Sequence, residues 1–301
     1  MTLDQMSRDR IFVAGDHIYW VDRVQESVEE LPRDLVFRVP RRGGPVEPIA
    51  SPTWVREIVE HGETVYLAGH DVEEESEPPG VAEVFRLEGH TFRPFARMHG
   101  DRETFGSRRL VVEGNTLLWI AATGRGHGRG IVVATELPSG RTRALLRCTR
   151  DDGHHAVCPD LVRGAPLARD DRRTYLFERG RLRALPDDRC PCGLTPGGYL
   201  RGHVLCVPGG RCESDAYVPA MLLPPDGGAP IPIEEAGDSE SPKLIGDSIY
   251  YHSGERSPVF RRATLIGPEE VLVERAFAAA FGTRAIAWVE GDRLWAAPPP
   301  P

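Results

Sequence analysis

The chain has 301 residues, of which 40% are hydrophobic and 27% charged, enough apolar material for either two conventional cores or one repeat architecture. Its net charge of −8 excludes a general nucleic-acid binder, whose affinity rests on an excess of cations. No apolar run approaches the roughly 20 residues of a membrane-spanning helix, and the polar stretch 1–10 lacks the apolar core of a secretory leader, which points to the cytoplasm.

In chain order, one unit recurs: a glycine, one or two polar residues, then a short β-rich run. It reads Gly15-Asp16-His17-Ile18-Tyr19-Trp20, then Gly62-Glu63-Thr64-Val65-Tyr66-Leu67, then Gly114-Asn115-Thr116-Leu117-Leu118-Trp119. Weaker copies begin at Gly164 and Gly202, a clear one at Gly246, and a last one at Gly282 leads into Ile286-Ala287-Trp288. Spacings of 47, 52, 50, 38, 44 and 36 between these glycines average about 44, the length of a four-stranded propeller blade. A short strand precedes each glycine. A third strand follows, as at 35–40, 84–87, 131–133 and 259–261, and a tight turn then leads to a fourth, as at 46–49, 142–146, 182–185 and 271–273. Only residues 25–30 suit a helical turn.

The pattern predicts an all-β fold, a seven-bladed β-propeller of four-stranded antiparallel blades forming a single domain over 1–301. The blades fall roughly at 8–50, 54–98, 107–147, 157–186, 194–234, 242–274 and 276–297. The last blade stops at its third strand because Pro298 to Pro301 forbid another ladder strand. Residues 2–6 are expected to supply the missing strand and close the ring, leaving no bare sheet edge.

Ile18-Tyr19-Trp20-Val21-Asp22, followed by Phe37-Arg38-Val39-Pro40 and Gly43-Gly44-Pro45, resembles the second and third strands of YWTD-like bacterial repeat propellers. The resemblance implies the propeller fold and a binding role, and it carries no catalytic residues.

Long insertions fall between second and third strands, at 22–34, 70–80, 124–130, 208–214 and 252–258. Others fall between blades, at 99–107, 149–157, 187–195 and 234–241. In a radial meander both sets emerge on one face, where variable loops on a rigid scaffold concentrate function. The loop at 124–130 offers Arg125, His127 and Arg129 among glycines, a composition able to wrap an anion; inter-blade His154 and His155 are expected to project from the same face. Glu73 to Glu77, with Glu26, Glu29 and Glu30, forms an acidic rim, read as solvated surface.

All six cysteines fall between 148 and 212 and border these loops. They suit disulfides, free structural thiols or zinc ligands, the last through Cys148, His154, His155 and Cys158 with Cys190 and Cys192. The shortest-range disulfide pairs are Cys148–Cys158 and Cys206–Cys212, and disulfides place the chain outside the cytoplasm. Nucleophile elbows, paired carboxylates and metal triads are not evident. The expectation is therefore a non-enzymatic binding or scaffold propeller, with no cofactor and no metal, docking a protein partner on the loop-rich face through Arg125, His127, Arg129, His154 and His155. The alternative is a metal-dependent hydrolase or lactonase-like enzyme with a pocket at the central channel.

Overall fold

The computed structural model describes residues 10–24, 33–52, 54–70, 80–100, 104–123, 130–150, 156–162, 165–170, 173–185, 190 and 194–200. It also describes 203–208, 220–224, 228–233, 243–245, 248–252, 257–262, 267–282, 284–291 and 293–299. The first sheet comprises Ile11–Ala14, His17–Val24, Arg33–Pro40 and Glu47–Ile49 (β1–β4). The second comprises Trp54–His61, Thr64–His70, Val81–Glu88 and Thr91–His99 (β5–β8), and the third Thr104–Glu113, Thr116–Thr123, Gly130–Glu136 and Thr142–Leu146 (β9–β12). A two-stranded ribbon, Thr149–Arg150 with Ala156–Val157 (β13, β14), follows. The fourth sheet is Asp160–Leu161, Leu167–Arg169, Thr174–Glu178 and Arg181–Ala184 (β15–β18). The fifth is Leu194–Leu200, His203–Pro208, Ala220–Leu223 and Ile231–Ile233 (β19–β22). The sixth is Lys243–Ile245, Ser248–His252, Ser257–Arg262 and Glu269–Ala276 (β23–β26). Ala278–Phe281, Ile286–Glu290 and Arg293–Ala297 (β27–β29) form the seventh.

Every sheet is an antiparallel meander in chain order, and the seven are the blades of a β-propeller; no helix occurs among the described residues. The first strands of neighbouring blades lie against one another (β1 on β5, β5 on β9, β1 on β27), so they ring the central axis. The strand expected from residues 2–6 to complete blade seven lies outside the described residues, as does the helical turn expected at 25–30.

Period-two alternation explains the blade stacking, because successive side chains of a strand point to opposite faces of its sheet. Tyr19 and Val21 of β2 enter the core shared with blade two, beside Val65 and Leu67. Ile18 and Trp20 enter the core shared with blade seven, beside Ala280 and Ala287. In β10, Leu117, Trp119 and Ala121 face blade two, whereas Leu118, Ile120 and Ala122 face blade four. The second strand of each of these blades is buried on both sides, and each large side chain so enclosed contributes about 1.5–3 kcal/mol. Trp119 is fully enclosed and its Nε1–H donates to Thr135 Oγ1 at 2.9 Å, so its one polar atom is satisfied. The glycines that open the repeat, Gly15, Gly62 and Gly114, have φ of 60°, 60° and 55°, the left-handed geometry that the two-residue turns between first and second strands demand.

Candidate functional site

In a radial meander, the starts of first and third strands and the ends of second and fourth strands lie on one face. On that face lie the described strand ends from which the long insertions leave. Arg125, His127 and Arg129 at 124–129, His154 and His155 at 151–155, and the acidic segments at 25–32 and 71–79 all lie outside the described residues. What the structure describes there is the mouth of the channel between blades one, two and three.

Its foundation is Asp34, at the start of β3, whose side chain is 1% exposed. Arg10, just before β1, grips it with both guanidinium nitrogens, Nη1 to Oδ1 at 2.7 Å and Nη2 to Oδ2 at 2.8 Å. The Val55 amide donates to Oδ2 at 2.8 Å, and Arg10 donates to the Val55 carbonyl, so one carboxylate ties blade one to blade two. Burial pushes the Asp34 carboxyl upward, but the Arg10 and Val55 hydrogen bonds and the Arg10 and Arg23 charges outweigh it and the net shift is downward. Sequence reasoning placed 22–34 in a loop; instead β2 runs to Val24 and the third strand resumes at Arg33, which puts Asp34 on the ladder opposite Arg23.

Above Asp34 stands Trp54, the first residue of β5. Arg23 lies over its ring, with Cζ 4.3 Å from the centroid, and Arg56 lies 5.4 Å away. His70, closing β6, stacks on the same indole at 6.1 Å with planes 4° apart. β9 is pressed against this end of β6, where Ser107 Oγ both receives the Gly69 amide at 3.0 Å and donates to the Gly69 carbonyl at 3.2 Å. Gly106 lies so close that a Cβ there meets His70 Cβ at 2.6 Å.

Two β-bulges shape the mouth. In β5 the register passes from Val55↔Gly69 to Glu57↔Ala68, leaving Arg56 out of the ladder. In β9 it passes from Leu110↔Trp119 to Arg108↔Ile120, leaving out Arg109, whose φ is 51°. Bulges turn a strand and re-aim its side chains, and they recur beside functional sites. Here both sit on neighbouring axial strands, and each holds an arginine. Burial draws the Arg56 guanidinium below its ordinary range, and the charges of Arg108, Arg10 and Arg23 add to that, with Asp34 opposing. Arg108 is drawn down by burial and by Arg109, with Asp160 opposing. Arg56 Nε and Trp54 Nε1 are buried donors with no acceptor among the described residues, and Asp22 Oδ1 in β2 is a buried acceptor with no donor among them. Chemically this is a cluster of cations against an aromatic face, suited to an oxyanion. No three His, Cys, Asp or Glu side chains among the described residues cluster to hold a metal.

Two disulfides flank the same side of the ring. Cys148 and Cys158 are joined, stapling the base of the β13–β14 ribbon, and Cys158 lies 3.8 Å from Thr123 Oγ1 at the end of β10. Cys206 is joined to Cys190, and this corrects the expected Cys206–Cys212 pair; Cys212 lies outside the described residues. The reason is the ladder: Cys206 in β20 sits opposite Pro196 of β19, so the chain entering β19 from Cys190 is its neighbour in space. Both sulfurs join the small core of Leu194 and Leu223. Thiolates committed to these bonds cannot ligate zinc, and the zinc reading thereby loses Cys148, Cys158 and Cys190.

The opposite face carries the feature that sequence reasoning missed. A cleft of about 650 Å³ opens between blades one and seven, lined by Asp16, Pro40, Arg41, Arg42, Ala285, Ala296, Ala297 and Pro298. Arg41 pairs with Asp16 and donates to the Arg284 carbonyl at 2.6 Å, across 243 residues of sequence. The hydrogen bond and charge of Arg41 hold the Asp16 carboxyl below its ordinary range. Arg41 is thus a clasp of the ring seam, engaged at both ends.

No protein-family model matches the chain, and no curated protein matches its sequence. Solved structures do. The β-propeller domain of the Trilobed protease from Pyrococcus furiosus, described as having an open velcro topology, superposes with a TM-score of 0.59 at 10% identity over 93% of this chain and 90% of that one. The acylaminoacyl peptidase of Pyrococcus horikoshii gives 0.57 at 8% identity, covering 99% of this chain and 54% of the other. A puromycin-hydrolyzing peptidase of Mycobacterium tuberculosis gives 0.54 at 12%, covering 94% and 49%. The chain therefore spans about half the length of these two peptidases. At such identities the likeness is one of fold. It nevertheless corrects the expectation of a non-enzymatic binding scaffold, because these propellers are found in hydrolases. Blade repeats are dictated by packing and read alike in either setting, so the strand pattern held no information on that choice.

Proposed function

We propose that the chain is a hydrolase-type propeller that admits and positions peptide-like substrate, its working surface being the loop-rich face around the mouth built on Trp54 and Arg56. The observation that carries this reading is the pair of arginine-bearing bulges on adjacent axial strands, set in a fold of the kind that peptidases carry. A structural propeller has no need of an uncompensated cation at its axis, where burial disfavours charge. The two disulfides favour an oxidising, extracytoplasmic compartment. The Tyr19-Trp20-Val21-Asp22 run, with alternate residues in the two flanking cores, fits a YWTD-like strand. The test is hydrolysis of aminoacyl and peptidyl p-nitroanilides and esters by the purified chain, with and without chelator, and by complexes it captures from its host extract. Turnover that falls in Arg56→Gln supports the reading. Absence of turnover in both preparations overturns it.

A further inference from the structure

Two carboxylates are bonded within the mouth among the described residues: Asp34, whose four acceptor directions are spoken for by Arg10 twice, the Val55 amide and Arg23 Nε at 3.4 Å, and buried Glu57, which accepts the Leu110 amide at 2.9 Å. Asp160 at the start of β15 is engaged by Arg169 at 3.6 Å. Arg56 makes no ion pair or hydrogen bond with any described residue; its contact is with the face of Trp54. The Trp54 indole N–H is likewise a buried donor without an acceptor. Two donors on residues two apart, one of them a guanidinium displaced by a bulge, thus lie in one cluster where, among the described residues, the charges of Arg10, Arg23 and Arg108 outnumber those of Asp34 and Glu57.

We infer that this cluster is a carboxylate subsite, in which the Arg56 guanidinium, with the Trp54 N–H beside it, receives the free carboxylate of a peptide, either at its C-terminus or on an acidic side chain. A planar guanidinium presents parallel N–H donors matched to the two oxygens of a carboxylate, and the indole supplies a further donor to the same group. The surrounding cations steer the anion in, and partial exclusion of water strengthens the contact. A single unpaired guanidinium suits a monoanion better than a phosphate, which recurs on clusters of such groups. Arg23 and His70 hold the indole from the side and act as positioning residues.

This inference rests on the hydrolase reading for the choice of a peptide, yet its test needs no turnover. The probes are acetyl-trialanine with a free C-terminus, its C-terminal amide, and acetyl-Ala-Asp-Ala amide, titrated calorimetrically into the full chain at low salt. The free acid, the Asp-bearing amide, or both are expected to bind at least about tenfold more tightly than the neutral amide, and which one does identifies the source of the carboxylate. Arg56→Gln is expected to bring that ratio to within about twofold, Trp54→Phe to reduce it while keeping the ring, and Arg42→Gln on the opposite face to leave it intact. Equal binding of all three peptides to the wild-type chain overturns the inference, as does a ratio that survives in both Arg56→Gln and Trp54→Phe. Inorganic phosphate binding more tightly than the acids overturns the assignment to carboxylate. Carboxylate preference without hydrolysis leaves this subsite standing and removes the hydrolase reading; hydrolysis without the preference does the reverse.

Discussion

Replacing Asp34 by asparagine removes one charge from a side chain that is 1% exposed and strands Arg10, whose side chain is 17% exposed. Breaking a buried pair by deleting one partner costs about 3–5 kcal/mol, and the partial access of Arg10 to water argues for the lower end, about 3 kcal/mol. A chain of this size loses about 2–3 °C of melting temperature per kcal/mol, so Asp34→Asn is expected to melt roughly 6–9 °C lower near pH 7. The pH dependence carries a sign. The Asp34 carboxyl is held below its unfolded value of about 3.9, so its contribution is complete above that value and is lost as pH falls through the lower, folded one. The gap between wild type and mutant must therefore close in acid. Replacing the pair together, Arg10→Met with Asp34→Leu, is expected to recover only part of the loss, since the apolar pair removes the stranded charge but leaves the Val55 amide and carbonyl without their side-chain partners. Thermal melts by circular dichroism at neutral and acid pH decide the matter. A mutant within about 2 °C of wild type at pH 7, or a gap independent of pH, refutes the view of Asp34 as the tie between blades one and two.

Other parts of the ring carry expectations of their own. Gly69→Ala sets a Cβ 2.2 Å from the Trp54 carbonyl oxygen, a backbone clash that no rotamer relieves; a loss of about 1–3 kcal/mol and a changed near-ultraviolet tryptophan signal are expected in melts and spectra. Unreduced, alkylated protein is expected to yield Cys190 linked to Cys206 by mass spectrometry, and Cys190→Ser to cost about 3 kcal/mol for a loop of 16 residues; a Cys206–Cys212 peptide refutes the pairing. Burial raises the Asp22 carboxyl, so its stability contribution falls as pH rises through the carboxylate range. Asp22→Asn is accordingly expected to melt higher than wild type near pH 7 and equally near pH 3, and a lower melting point at pH 7 refutes the reading.

The blades were legible because their signals are local. The turn after Gly15 or Gly114 and the alternation along Ile18 to Val21 are set by residues within one hairpin, and the strand at Thr142–Leu146 coincides with the sequence expectation. The mouth was not legible. Arg56 and Arg109 stand out only because their strands bulge, and a bulge leaves no mark in composition. Asp34 follows a polar insertion and reads as loop until its partner Arg10, 24 residues earlier, is placed beside it. Cys206 was paired by proximity along the chain, whereas its partner lies across a hairpin. The Arg41 clasp joins residues from the two ends of the ring, a relation that exists only once the ring is closed.

The seam between blades one and seven has a further consequence. Against Ile11, Val13, Ile18 and Trp20 of blade one, blade seven presents Ala278, Ala280, Ala285 and Ala287, with Val289 its largest buried aliphatic there. Each alanine in place of a leucine forgoes about 2 kcal/mol of burial, at roughly 0.8 kcal/mol per methylene. On its blade-seven side this seam is therefore built of small side chains, and Arg41 latches it by joining the two ends of the ring. Local opening favours loosely filled parts of a structure over densely enclosed ones. Deuterium is expected to enter the amides of Ala278–Phe281 and Ile11–Ala14 before those of Thr116–Thr123, whose strand is enclosed on both faces by larger side chains, so that exchange at the seam and in blade three proceeds at different rates around one axis.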